Sequence, residues 1–120
     1  MDSREKLQLA YNVLIIDFSD NIREIIVYKD RPVLKATFQN EIILYIRYND
    51  YGEYTYCVIY SPNPDDQMRF DNYDDRWDVK TRPHHFHIRG MQSVIESPMD
   101  GDPNQDIRVL IKKVKEFLKK

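Results

Sequence analysis

The chain has 120 residues, of which 42% are hydrophobic and 32% charged, and its formal net charge is −2. That length holds one core and suits a single domain over residues 1–120, and the composition excludes a disordered chain. The slight acidity excludes indiscriminate nucleic-acid binding by the whole surface, but it leaves room for a local basic patch.

Cys57 is the only cysteine, so an internal disulfide and a thiolate metal cluster are both excluded. Within "YTYCVIY" it reads as a small buried strand residue. No run approaches the roughly 20 apolar residues of a membrane span. The N-terminal "MDSREKLQLAYN" carries charges of both signs and lacks a signal-peptide core. A cytoplasmic location is the default expectation.

In chain order, "DSREKLQLAYNVLIIDF" predicts a helix. Asp2 suits the cap, Glu5 can close a capping box, and Leu7, Ala10, Tyr11, Leu14 and Phe18 recur on one face. "SDN" at 19–21 stops it. The period then changes. "IREIIVY", "PVLKATF", "EIILYIRY" and "EYTYCVIY" are rich in β-branched and aromatic residues, with short turn signals between them. "QMRFDN" predicts a further short strand, and "HHFHIRG" is a candidate for a last one. Such spacing reads as an antiparallel meander of five to six strands. In "DPNQDIRVLIKKVKEFLKK" Asp102 suits the cap, Pro103 the first helical position and Gln105 the box. Ile107, Leu110, Ile111, Val114, Phe117 and Leu118 form its apolar stripe, and the terminal lysines favour the negative end of the helix dipole. The expected fold is α+β, with both helices on one face of the sheet.

All three histidines fall within four residues, His84-His85-Phe86-His87. In an extended chain His84, Phe86 and Ile88 share one face, while His85, His87 and Arg89 share the other. Phe86 and Ile88 belong in the core, so the second set should look outward. The same alternation sends Met68 and Phe70 inward and Arg69 and Asp71 outward. Neighbouring strands would then collect Arg69, Asp71, His85, His87 and Arg89 on one face, with Lys80, Arg82 and His84 nearby for substrate.

Three chemistries fit this set. Two imidazoles and Asp71 can ligate a metal, although no third nitrogen or sulfur ligand stands at a recognisable spacing. Histidine beside arginine can instead perform acid–base chemistry on a phosphate, needing no metal or cofactor. The third reading is a charge-satisfied or protein-binding surface. The tyrosines, nine in all, are at home on half-buried strands, and they also offer a stacking face for bases.

The segments Arg69-Phe70-Asp71-Asn72 and Pro83-His84-His85-Phe86-His87-Ile88-Arg89-Gly90 together resemble the TumE family of toxins from toxin–antitoxin systems. The likeness extends more loosely over most of the chain. It implies a toxin held inactive by a small antitoxin encoded by an adjacent gene. By analogy with other small toxins it suggests RNA as the target, and ribonuclease as the activity if the protein is an enzyme. On that view His85 and His87 are the acid–base candidates, Arg69 and Arg89 the phosphate cations, and Asp71 an orienting partner. A non-catalytic interaction or nucleic-acid-binding domain using the same face is the alternative. A homodimer is a further state that the sequence leaves open. Between Asn72 and Pro83 the chain departs from the family pattern, with Trp77 and several aspartates in place of a short His-rich turn.

Overall fold

Helix α1 (Ser3–Phe18) begins as its first residues predict. The Asp2 carboxylate accepts from the Glu5 N–H, and the Glu5 carboxylate accepts from the Asp2 N–H. Both orphan donors are thereby satisfied reciprocally. The structure is a computed structural model that describes residues 1–118, with side chains through Glu116. Leu7, Ala10, Val13 and Leu14 form the buried stripe of α1. A 3-10 turn over Ser19–Asn21 ends it and turns the chain into the sheet.

Seven strands follow: β1 (Ile22–Val27), β2 (Val33–Phe38), β3 (Ile43–Tyr48), β4 (Tyr54–Ile59), β5 (Gln67–Asp71), β6 (His85–His87) and β7 (Val94–Glu96). Each pairs antiparallel with its sequence neighbour, so the sheet is an open meander in the order β1 to β7. The expected α+β meander is therefore present, with seven strands in place of five to six. The additional strand is β7. It is three residues long and mostly exposed, with no apolar alternation to announce it. Helix α2 (Pro103–Leu118) closes the fold.

The inward face follows the two-residue period. Leu34 pairs with Ile46, Leu44 with Val58, Tyr48 with Tyr54, Tyr56 with Phe70, and Phe70 with Phe86. Leu7 and Leu14 of α1 and Ile107, Leu110, Ile111 and Val114 of α2 join the same core cluster. Both helices thus seal one face. The side chains of Phe117, Leu118 and the terminal lysines lie outside the described residues.

Asp102 caps α2 through its carboxylate, which accepts from the Asn104 N–H at 3.0 Å. The expected capping box is not completed. Asp100 takes the Asp102 N–H, and Gln105 donates to the Pro98 carbonyl instead. Asp106, one position further on, is fully buried. It accepts from the Tyr56 hydroxyl at 2.8 Å and from the Asp100 and Gly101 N–H groups at 3.1 and 2.8 Å. Tyr48 and Tyr56 share a hydroxyl hydrogen bond of 3.0 Å behind it. A buried carboxylate thus ties α2 to the middle of the sheet.

Burial pushes the Asp106 carboxyl up to about 6, against three donors that pull it down. An unperturbed aspartate titrates near 3.9. The folded state therefore binds this proton more tightly, and the resulting stabilisation is complete below about pH 4 and lost as pH rises through about 6. Asp106→Asn should cost about 1–3 kcal/mol, because its single acceptor oxygen leaves a buried donor unpaired. Its deficit against wild type, read by urea denaturation, should widen from pH 7 to pH 5. A deficit independent of pH would show that the carboxyl stays ionised throughout.

Candidate functional site

The outer face of the sheet carries two rows of side chains set by register. One runs Arg47–Thr55–Asp71–His85 across β3 to β6, and the other runs Tyr45–Cys57–Arg69–His87. Adjacent strands lie about 4.8 Å apart, so neighbours in each row are within side-chain reach. Arg69, Asp71, His85 and His87 are consequently brought together without any loop having to deliver them.

Their hydrogen bonds form a continuous chain. Arg69 Nε donates to Asp71 Oδ2 at 2.7 Å, and Asp71 Oδ1 lies 2.8 Å from His85 Nε2. His85 Nδ1 is 2.9 Å from the Pro83 carbonyl oxygen. A carbonyl only accepts, so Nδ1 carries a proton. Arg69 Nη2 lies 3.0 Å from His87 Nε2. A guanidinium only donates, so that ring nitrogen presents its lone pair. Burial, reinforced by the Arg69 charge, holds the His87 imidazole below the usual histidine range. His87 is thus kept neutral, with its acceptor nitrogen held by Arg69.

A lid covers the inner pair. Between β5 and β6 the chain folds back so that the Trp77 ring lies 5.8 Å from His85 and 5.5 Å from His87. The Arg76 guanidinium sits 4.6 Å over Trp77 and pairs with Asp74 at 3.0 Å. Asp75 accepts from Arg82 at 2.6 Å. Asp74 and Asp75 therefore order this loop. Beneath the lid His85 is 1% and Asp71 4% exposed. His85 points to the outer face as alternation predicts, yet it is not a surface residue. Burial there comes from the Trp77 loop, not from the core.

The remaining expected residues are dispersed. His84 turns inward, stacks on Tyr54 and meets its hydroxyl through Nδ1 at 2.8 Å. Lys80 is exposed on the loop, and Arg82 is engaged with Asp75. Arg89 does not join His87. Strand β6 ends at His87, and beyond it the alternation lapses. Arg89 pairs with Asp66 at 2.6 Å and lies 3.8 Å over the Tyr60 ring, while Ile88 lines a shallow hollow beside His87 and stays outside the core cluster.

Six residues not singled out for the site line its cavity of about 410 Å³: Arg47, Thr55, Tyr73, Asp74, Arg76 and Trp77. Arg47 and Thr55 carried a usable signal, since alternation along β3 and β4 sends them outward. Nothing in the sequence indicated that the loop would carry Trp77 back onto the histidines.

A small α+β meander whose outer face holds a hydrogen-bonded Arg–Asp–His constellation under a tryptophan lid is the class that fold and site define. A family model described as Toxin TumE matches residues 12–118, and the chain belongs to that toxin family. No curated protein and no solved structure matches it. Within "RFDN" the roles divide. Arg69 and Asp71 enter the constellation, Phe70 enters the core, and Asn72 accepts from the Tyr54 N–H and donates to the Gly52 carbonyl.

Breaking a buried charged pair by removing one partner typically costs 3–5 kcal/mol. Asp71→Ala should therefore lower stability by about that amount in urea denaturation. A loss below 1 kcal/mol would mean that water reaches His85 in solution.

Proposed function

We propose that this toxin is a metal-independent ribonuclease whose chemistry centres on His87. The observation that carries the reading is the Arg69–His87 contact, a neutral acceptor nitrogen held by a guanidinium at the lip of a cavity that also presents Arg47, Arg76, Trp77 and Tyr73. Three arginines suit a phosphodiester, and two aromatic rings suit a base stacked beside it. His87 Nε2 takes the proton of an RNA 2′-hydroxyl, and that oxygen attacks phosphorus. Arg69 turns from His87 to the phosphate and, with Arg47 and Arg76, offsets the charge that develops there. The bond to the 5′ oxygen breaks, and the His87 imidazolium returns the proton to it. The products are a 2′,3′-cyclic phosphate and a 5′-hydroxyl. His85 is sealed under Trp77, so it acts through Asp71 by fixing the carboxylate that orients Arg69.

The toxin family implies an antitoxin, and we assign it to a small protein encoded by an adjacent gene, with the cytoplasm as the place of action. Two exposed aliphatic side chains along the seam between α1 and the edge strand β1, Ile15 and Val27, offer such a protein a surface. No described helix is long and apolar enough to cross a membrane. A non-catalytic binding role for the same face draws support from the acidic Asp74 at the cavity rim, which is unfavourable for a polyanion.

His87→Ala should abolish growth inhibition and lower RNA cleavage, assayed with EDTA present, by about 10²–10⁴-fold, the usual contribution of a positioned acid–base group. Its melting temperature should change little, since the half-exposed ring contributes little packing. A folded and fully toxic variant would favour the binding reading. Phe86→Ala is the stability control. Its ring stacks on Phe70 at 4.1 Å between centroids, and its removal should cost on the order of 3 kcal/mol.

A further inference from the structure

We propose that Asp71, His85 and His87 form a site for one divalent transition-metal ion, which displaces the Arg69 guanidinium from His87 and, on the reading above, blocks the chemistry of His87. One carboxylate oxygen and one nitrogen from each ring lie within 4.8 Å of one another. Tetrahedral coordination with bonds of about 2.0–2.1 Å places ligand atoms about 3.4 Å apart. Asp71 and His85 stand closer than that, at 2.8 Å, and must part by about 0.6 Å to admit an ion. His87, half-buried at the end of a three-residue strand, must close in as well.

The second observation is the orientation of His85. Its Nδ1–H is spent on the Pro83 carbonyl, which leaves Nε2 as the nitrogen aimed at Asp71. A backbone carbonyl holding one ring nitrogen so that the other faces a ligand position is the outer-shell arrangement that orients metal-binding histidines. A bare imidazole nitrogen against a carboxylate oxygen is repulsive, so a positive bridge belongs between them. A metal ion can supply that bridge.

Third, the site is already built around a cation. Arg69 bonds Asp71 through Nε and His87 through Nη2, the two groups a metal would claim. Its side chain is 45% exposed and lies at the rim, so it can leave. Two imidazoles and one carboxylate favour zinc, copper, nickel or cobalt over magnesium or calcium. Occupancy by metal consumes the His87 acceptor nitrogen and sets a second positive charge against the guanidinium, which retains only the Asp71 Oδ2 contact.

Trp77 is the only tryptophan in the chain, and it lies against both histidines. Tryptophan fluorescence of the full-length protein therefore reads the site directly, without reference to activity. Titration with copper(II) or nickel(II) should give saturable quenching at one ion per chain, reversed by EDTA, and zinc should compete for the same site. Magnesium at millimolar concentration should have no effect. His87→Ala should weaken binding at least tenfold, whereas Arg69→Ala should tighten it by removing the competing cation. No saturable quenching, several weak ions per chain, or unchanged affinity in His87→Ala would overturn the site. Weaker binding in Arg69→Ala would overturn the competition. RNA cleavage left intact at saturating zinc would overturn the blocking role alone. Failure to cleave RNA under any condition bears on the ribonuclease reading and leaves the titration valid.

Discussion

The stacked pair Phe70–Phe86 is the contact on which the outer face depends. Its rings are 4.1 Å apart and within 5° of parallel, on the core side of β5 and β6. Strand β6 has only three residues, too few for ladder hydrogen bonds alone to hold register against a slip. A shift of one residue would turn Phe86 outward and His85 and His87 into the core. The aromatic pair, with Lys113 over the Phe86 ring, forbids it. Arg69 and Asp71 consequently face His87 and His85 because two rings on the opposite side of the sheet cannot be unstacked cheaply.

Within that frame the two histidines have different mechanical lives. His85 is bonded at both nitrogens, buried beside Asp71 and roofed by Trp77. His87 is bonded through Nε2 to a partly exposed arginine and opens on hollows to either side. A rigid inner pair and an adaptable outer pair are what a site needs if it must hold its geometry and still admit a ligand. The lid is itself ionic, tied by Asp74–Arg76 and Asp75–Arg82 on the surface. Such exposed pairs contribute little each, so the lid is the part of the site most easily displaced.

Local signals in the sequence carried far. The Asp2–Glu5 box, the apolar stripes of both helices and the period change at Ile22 are encoded within a few residues of where they act. The shared face of Arg69, Asp71, His85 and His87 was legible for the same reason, since a two-residue period needs only the knowledge of which side is buried. What stayed hidden depends on distance in sequence. Arg47 joins the site through strand register, and Trp77 through the path of a loop. Arg89 was assigned by alternation to a strand that had already ended. Strand β7, only three residues long with Val94 and Ile95 side by side, is too short to show an alternation that separates it from a turn. Asp106 looks like any acidic residue in a first helical turn until Tyr56 and the 100–101 backbone are seen to converge on it.

The sequential meander also sets an order of assembly on the ribosome. Each strand pairs with the one just made, so pairing needs little chain beyond it, and folding can follow synthesis from the N-terminus. By Tyr60 the chain contains four strands but only Arg47 and Thr55 of the site. Asp71, the Trp77 lid and both outward histidines arrive on the last strands, and the carboxylate that locks α2 to the sheet comes later still, at Asp106. A chain interrupted anywhere in its first half is thus a partial sheet with no constellation on it. In this member of a toxin family, the outward Arg–Asp–His face is among the last parts of the fold to exist.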